Sequence, residues 1–113
     1  MASLSTQVAK YASNNGVASV DFTTDVLLQD DSNGQGPYIK SWNLAIAQPS
    51  SADLSAVDSD ADAIEALATV KSTRRAAYGD IGDQLDMQYH DNIDGTTTWK
   101  DHVAKVKSDN PKP

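Results

Sequence analysis

The sequence predicts an α+β protein with a short N-terminal helix, a β-hairpin and then three to four helices, the last two forming a C-terminal pair. Three observations predict this class. Apolar residues near the N-terminus recur at helical spacing, those in residues 17–29 alternate with a period of two, and those after residue 58 return to helical spacing. Clusters of turn-forming residues separate these stretches.

The predicted N-terminal helix opens the first region, residues 1–48. Leu4, Val8, Tyr11 and Ala12 fall on one helical face. The Asn-Asn-Gly run at 14–16 then ends the helix, because Asn and Gly tolerate the left-handed backbone conformation.

A β-hairpin follows within the same region. Residues 17–29 are β-branched and alternating, and residues 37–43 have the composition of a returning strand. Between them, residues 30–36 form a turn by composition, with two glycines that can take positive φ. A third strand at residues 44–47 is left open.

Residues 49–77 are predicted to be a linking region that is mainly helical. Ser50 or Ser51 suits the N-cap of a short helix, and Asp58 or Ser59 suits the N-cap of a longer one. The longer helix has acids in its first turns and bases in its last turns, which is the order that the helix dipole favours.

Residues 78–113 are predicted to form a C-terminal two-helix unit. Gly79 ends the preceding helix, Asp80 caps the next one, and a turn at 92–95 separates the pair. Helices of about ten residues are not stable alone in water, so the two are expected to pack on each other and on either the preceding long helix or a partner. The chain is expected to form one compact or two loosely coupled units. The apolar stripes of the two helices are Ile81, Leu85 and Tyr89 on the first helix and Trp99, Val103 and Val106 on the second.

The charge distribution is uneven and disfavours nucleic acid as a partner. The net charge is −7, with nine acids and two bases in residues 1–70 and seven of each in residues 71–113. Such an acidic surface repels phosphates. No apolar run is long enough to cross a membrane, no signal peptide is visible, and there is no cysteine. We therefore expect a soluble cytosolic protein with no membrane contact.

Two acidic clusters contain the oxygen ligands that a metal site needs. The run Asp-Ser-Asp-Ala-Asp at 58–62 resembles the start of a calcium loop, but that loop needs Gly at its sixth position and Glu at its twelfth, where this chain has Ala63 and Thr69. The oxygen-rich turn at 30–34 leaves weak divalent binding open, although an ordinary hairpin turn is the preferred interpretation. The sequence therefore predicts neither a metal site nor a cofactor site.

The sequence contains no arrangement expected for catalysis. His90 and His102 are too far apart in sequence for a metal-binding pair, and the Asp86 spacing predicts an ion pair with His90. No Gly-x-Ser-x-Gly elbow and no phosphate-binding glycine loop are present. The acids at 80, 83 and 86 are interpreted as a solvated helix face. We expect no enzymatic activity.

The aromatic residues Tyr38, Trp42, Tyr78, Tyr89 and Trp99 are candidate contacts with a partner protein. The alternative is that they pack in the core, since aromatic side chains dominate small cores. The core interpretation is preferred for Tyr89 and Trp99, and the two interpretations are balanced for Trp42.

The C-terminal segment resembles one found in small tail-related proteins of tailed bacteriophages. The residues that carry the resemblance are YGDIGDQLDMQYHD at 78–91, GTTTWKD at 95–101, the KSDNPKP ending and, upstream, YIKSWN at 38–43. The resemblance covers residues 37–113 and leaves residues 1–36 uncovered.

The resemblance implies a non-enzymatic structural component of a phage virion that is associated with the tail or tail fibre. A transient tail or fibre assembly chaperone and a capsid decoration protein are the alternatives. Its partners would be other phage structural proteins, with self-association left open, and it would lie in the virion and, during assembly, in the host cytoplasm. No catalytic residues are carried over.

Overall fold

The computed structural model describes all 113 residues and confirms an α+β fold of five helices and one two-stranded antiparallel sheet. The elements are α1 (Leu4–Asn14), β1 (Val26–Gln29), β2 (Tyr38–Trp42), α2 (Ser51–Ala56), α3 (Asp58–Tyr78), α4 (Ile81–Asp94) and α5 (Thr98–Asp109). The chain divides into an N-terminal unit, Met1–Glu65, and a C-terminal unit, Ala66–Pro113. The finer division into 1–48, 49–77 and 78–113 stays a prediction.

Helix α1 follows the sequence prediction closely. Ser3 is its N-cap and accepts a hydrogen bond from the backbone amide of Thr6. Val8 and Ala12 are fully buried, as the apolar spacing predicts. The chain leaves the helix through Gly16, whose φ is +91°.

The hairpin is shorter than the sequence predicts, because β1 begins at Val26 rather than near residue 17. Asp21 accounts for the difference. Its carboxylate accepts hydrogen bonds from the backbone amide and the hydroxyl of Thr23, and its carbonyl accepts one from the amide of Asp25. These local bonds hold a turn in place of a strand. The strand pairing is irregular between Leu27 and Leu28.

The third strand, left open at residues 44–47, does not form. The carbonyls of this segment are hydrogen-bonded to aromatic side chains instead of to a strand. Trp42 Nε1 donates to the carbonyl of Ile46 at 2.8 Å, and the hydroxyl of Tyr11 donates to the carbonyl of Ala47 at 2.7 Å. The two rings lie 6.3 Å apart.

Helices α2 and α3 begin differently from each other. Ser50 caps α2 through a capping box with Asp53, which agrees with the sequence prediction. Asp58, however, is the first residue of α3 and not its cap. Its carboxylate accepts hydrogen bonds from the amide of Ala2 at 3.0 Å and from the side chain of Gln7 at 2.8 Å.

The core of the N-terminal unit is small and consists mainly of alanine and valine. Its buried apolar residues are Ala2, Val8, Ala12, Val26, Val57 and Ala61. Such short side chains bury little area, so polar contacts between elements contribute a larger share of the stability than in a larger core.

The C-terminal unit contains the two contacting helices α4 and α5 and the last part of α3. Asp80 caps α4 through the amide of Gly82, and Gly95, with a φ of +66°, ends it. On α5, Val106 is buried and Trp99 and Val103 are half-buried, which agrees with the predicted stripe. Arg74 on α3 donates to the carbonyl of Asn110 at 2.8 Å, at the end of α5.

Candidate interaction surfaces

An exposed apolar stripe runs along α4 and was not expected from the sequence. Ile81, Leu85, Tyr89 and Ile93 recur every four residues and are 69, 58, 61 and 61 % exposed. Side chains at this spacing lie on one side of a helix. The preferred core position of Tyr89 is therefore wrong, whereas the expectation that a partner covers this stripe stays a prediction. Spacing identifies a face but does not show what covers it.

The opposite side of α4 packs on α5. Gln84, Met87 and Asp91 are half-buried, and Gln84 Oε1 lies 3.5 Å from Nε1 of Trp99. Because α4 is held through this side, the apolar stripe points away from α5. We refer to Ile81, Leu85, Tyr89 and Ile93 as the α4 stripe.

Asp91 fixes the join between α4 and α5. Its carboxylate accepts hydrogen bonds from the amides of Thr98 and Trp99, at 2.9 and 2.7 Å, and from the hydroxyl of Thr96. Asp91 thus caps the first turn of α5, because the side chain of Thr97, the N-cap residue, makes no capping hydrogen bond. The hydroxyl of Thr96, followed by the two amides, lowers the pKa of Asp91. The carboxylate therefore stays ionised at neutral pH.

The surroundings of the α4 stripe are acidic. Between Arg75 and Lys100 the chain has five aspartates and no lysine or arginine. Asp86 and His90 lie 3.4 Å apart, at the i,i+4 spacing that predicted their ion pair. This region carries a negative charge beside an apolar face.

Two acids of α3 anchor the start of the chain. Glu65 accepts hydrogen bonds from the amide and hydroxyl of Ser3 and from the hydroxyl of Thr6, at 2.8 to 2.9 Å. The amide of Ser3 is the largest influence that lowers the pKa of Glu65, and the side chain of Gln7 is the largest for Asp58. Carboxylates held ionised in this way are poor general acids.

Tyr38 lines a groove in the N-terminal unit. The groove has a volume of about 310 Å³ and its apolar walls include Leu4, Ile39, Pro49 and Leu54. The Tyr38 side chain is 42 % exposed, and its hydroxyl contacts Gln29 and Asp31. Trp42 is half-buried and holds Ile46, so it acts within the fold in this structure.

A second groove of the same unit lies beside α1. It has a volume of about 450 Å³ and is lined by Phe22, Ile64 and the Ala9 side of α1, with Lys10 at its edge. Ile64 is 48 % exposed. Neither Phe22 nor Ile64 is among the candidate contacts that the sequence indicates.

The aromatic candidates of the C-terminal unit do not form one cluster. Tyr89 is in the α4 stripe and contacts the ring of His90 edge-on, so it is not a core residue. Trp99 lies between α4 and α5, half-buried. Tyr78 is half-buried at the end of α3, and its carbonyl is 2.9 Å from Nε2 of His102. Of these three, Tyr89 presents the largest exposed ring surface.

No group of three or more histidine and acidic side chains is placed to hold a metal ion. The two histidines have separate partners, Asp86 for His90 and the Tyr78 carbonyl for His102. No helix is both long and apolar enough to cross a bilayer.

One comparison with known proteins identifies a family. No curated protein and no solved structure matches the chain significantly. The family model of the XkdW protein matches residues 9–66, just over half of the chain. The match extends from α1 to the first part of α3 and includes residues 9–36, where the sequence resemblance found nothing. It does not include the segment 78–113 on which the tail assignment rests. The chain belongs to the XkdW protein family, which is phage-derived, and is a phage-related protein.

Proposed function

We propose that this chain is a non-enzymatic structural component of a tailed phage particle, associated with the tail or the tail fibre. It acts through contacts with other phage structural proteins. Membership of a phage-derived family supports the phage part of the proposal. The α4 stripe is the single structural observation that carries the part about protein contacts.

The α4 stripe supports a binding role because of its size and composition. Four large apolar side chains, each more than half exposed, make a continuous patch on a helix of 14 residues. Continuous exposed apolar patches of several hundred Å² on small proteins mark interaction surfaces. Tyr89 supplies the aromatic group that is common at the centre of such surfaces.

The roles of the acidic side chains support a non-catalytic protein. Asp58, Glu65 and Asp91 accept hydrogen bonds from backbone amides at helix ends or at the start of the chain. Their lowered pKa values keep them ionised, which suits capping and anchoring better than proton transfer.

The test is mass spectrometry of purified phage particles, followed by the same measurement on separated tails and heads. The proposal expects peptides of this chain in mature particles and in the tail fraction, in a fixed ratio to a major tail protein. Detection in the head fraction alone would identify a capsid decoration protein. Detection in the infected-cell lysate but not in particles, with misassembled tails after deletion, would identify an assembly chaperone.

A further inference from the structure

We infer that the α4 stripe is the docking surface for an amphipathic helical segment of a partner protein, with lysine or arginine residues beside its apolar face. The inference specifies the kind of partner that the proposed function requires. It rests on the proposed function only in taking that partner to be another phage protein. Four features of the C-terminal unit carry it: the regular spacing, the exposed surface, the acidic border and the rigid mounting of α4.

The spacing of the stripe matches a helical partner. Ile81, Leu85, Tyr89 and Ile93 repeat every four residues over the length of α4. At about 1.5 Å per residue the stripe is roughly 18 Å long, which is about three turns of a facing helix. Amphipathic helices dock through residues at such spacings.

The charges beside the stripe determine the chemistry of the partner. At about 100° per residue, the stripe occupies roughly a third of the helix circumference. Asp86 lies at one edge, with His90 beside it, Asp83 and Asp94 lie further round towards the far side of the helix, and the opposite edge has the neutral Gln88 and Asn92. No lysine or arginine lies on α4 to neutralise the acids. A partner helix therefore gains favourable contacts from basic residues along one side of its apolar face.

The same charges disfavour the other occupants. Two copies of α4 that paired through the stripe would bring Asp86 of each copy towards the other, with no lysine or arginine on either helix. Nucleic acid and anionic lipid surfaces are repelled for the same reason. The charge pattern thus favours a basic partner over self-association.

The stripe is presented on a fixed helix. The side of α4 that faces α5 is held by Asp91, which binds the first turn of α5, and by the contact of Gln84 with Trp99. No side chain of the stripe takes part in these contacts with α5. Tyr89 has one ring contact, which is edge-on with its neighbour His90 on α4. Docking therefore requires little rearrangement of α4.

The test uses the full chain and two fluorescein-labelled peptides of about 18 residues. Both peptides have leucines at helical spacing. One has lysines beside the leucines, and the other has glutamates at the same positions. Fluorescence anisotropy is expected to show that the lysine peptide binds at least about tenfold more tightly than the glutamate peptide, with a preference that decreases at high salt.

Matched variants locate the binding site. Leu85→Asp is expected to weaken binding of the lysine peptide by at least about tenfold. Ile64→Asp, at an exposed isoleucine of the N-terminal unit, is expected to leave the affinity unchanged. Replacing Asp86, the acid at the edge of the stripe, by lysine is expected to reduce the preference for the lysine peptide. Circular dichroism checks that each variant is folded, and Leu85→Ala replaces Leu85→Asp if the latter is not.

Three results would overturn the inference. The two peptides could bind equally or not at all, or Ile64→Asp could abolish binding while Leu85→Asp does not. The third is a wild-type dimer in sedimentation experiments that Leu85→Asp dissociates, which would assign the stripe to a second copy of the chain. Failure in the peptide assay leaves the particle measurement untouched, so it is distinguishable from failure of the proposed function.

Discussion

Glu65 binds Ser3 twice, accepting a hydrogen bond from its backbone amide at 2.9 Å and one from its hydroxyl at 2.8 Å. Ser3 is the N-cap of α1, and the hydroxyl of Thr6, in the first turn of that helix, donates to the same oxygen of Glu65. One carboxylate on α3 thus positions the start of α1 and places a negative charge at the end of the helix that favours it.

Replacement of Glu65 by alanine is expected to destabilise the N-terminal unit. The three donors lose their acceptor, and the small alanine and valine core offers little compensation. We expect the melting temperature to fall by about 5 °C, measured by circular dichroism. Asp60→Ala is the control, because it removes an acid of α3 for which the structure shows no hydrogen bond or ion pair. Equal effects of the two substitutions would contradict this role for Glu65.

The stability should also fall in acid. The pKa values of Glu65 and Asp58 are lowered from 4.5 and 3.8 by hydrogen bonds that favour the ionised form. A group whose pKa is lower in the folded state stabilises the fold above its unfolded pKa and ceases to do so as the pH falls through its folded pKa. Melting temperatures from about pH 6 to about pH 3 should therefore decrease below about pH 4.5.

The variant Glu65→Gln separates this contribution from the general acid sensitivity of the chain. Its side-chain oxygen can still accept hydrogen bonds but does not titrate. The decrease in melting temperature between about pH 5 and about pH 3 should be smaller in this variant than in the wild type. An unchanged pH profile would show that Glu65 is not responsible.

Features set by neighbouring residues were predictable from the sequence. The capping box at Ser50, the cap at Asp80 and the helix end at Gly95 each depend on backbone groups within a few residues. Features that join distant residues were not. Asp58 was one of two residues expected to cap the long helix, the other being Ser59, but the partners of its carboxylate are Ala2 and Gln7, more than 50 residues away.

The candidate surface was predicted only in part. The spacing on α4 correctly identified one apolar side, but it has the same form whether that side is buried or exposed. Only the structure shows that α5 packs on the other side of α4, where Gln84 meets Trp99. A similar limit applies to Tyr89, since a sequence does not show which aromatic ring is covered by its neighbours.

The difference between a buried and an exposed apolar side chain gives a direct stability prediction. Val8→Ala should lower the free energy of unfolding by about 2 kcal/mol, because Val8 is fully buried and a cavity remains. Leu85→Ala should change it by less than about 0.5 kcal/mol, because Leu85 is 58 % exposed and alanine favours helix. Urea unfolding measures both. A large loss in Leu85→Ala would mean that the stripe is part of the core.

The hydroxyl of Tyr11 should contribute to stability through the segment that follows β2. Tyr11→Phe removes the 2.7 Å hydrogen bond to the carbonyl of Ala47 but keeps the ring beside Trp42. We expect a loss of about 1 kcal/mol in urea unfolding, with little change in Trp42 fluorescence of the folded state. Tyr89→Phe is the control, since the structure shows no hydrogen bond for its hydroxyl. If both variants have wild-type stability, the Ala47 bond is not stabilising.

Gly82, in the first turn of α4, and Gly95, which follows its last residue, should respond in opposite ways to alanine. Gly82 lies in the first turn, and a Cβ there would be 3.6 Å from Asp80 Oδ1, an ordinary contact. Gly82→Ala should therefore stabilise the chain by about 0.5 kcal/mol, because alanine loses less backbone entropy in a helix. Gly95 also has open space around it, but its φ is +66°. Gly95→Ala should cost roughly 1 kcal/mol, since the left-handed conformation is strained for a residue with a Cβ. Urea unfolding measures the free energy of unfolding of both variants. If Gly95→Ala stabilised the chain, α4 would not end in this left-handed turn.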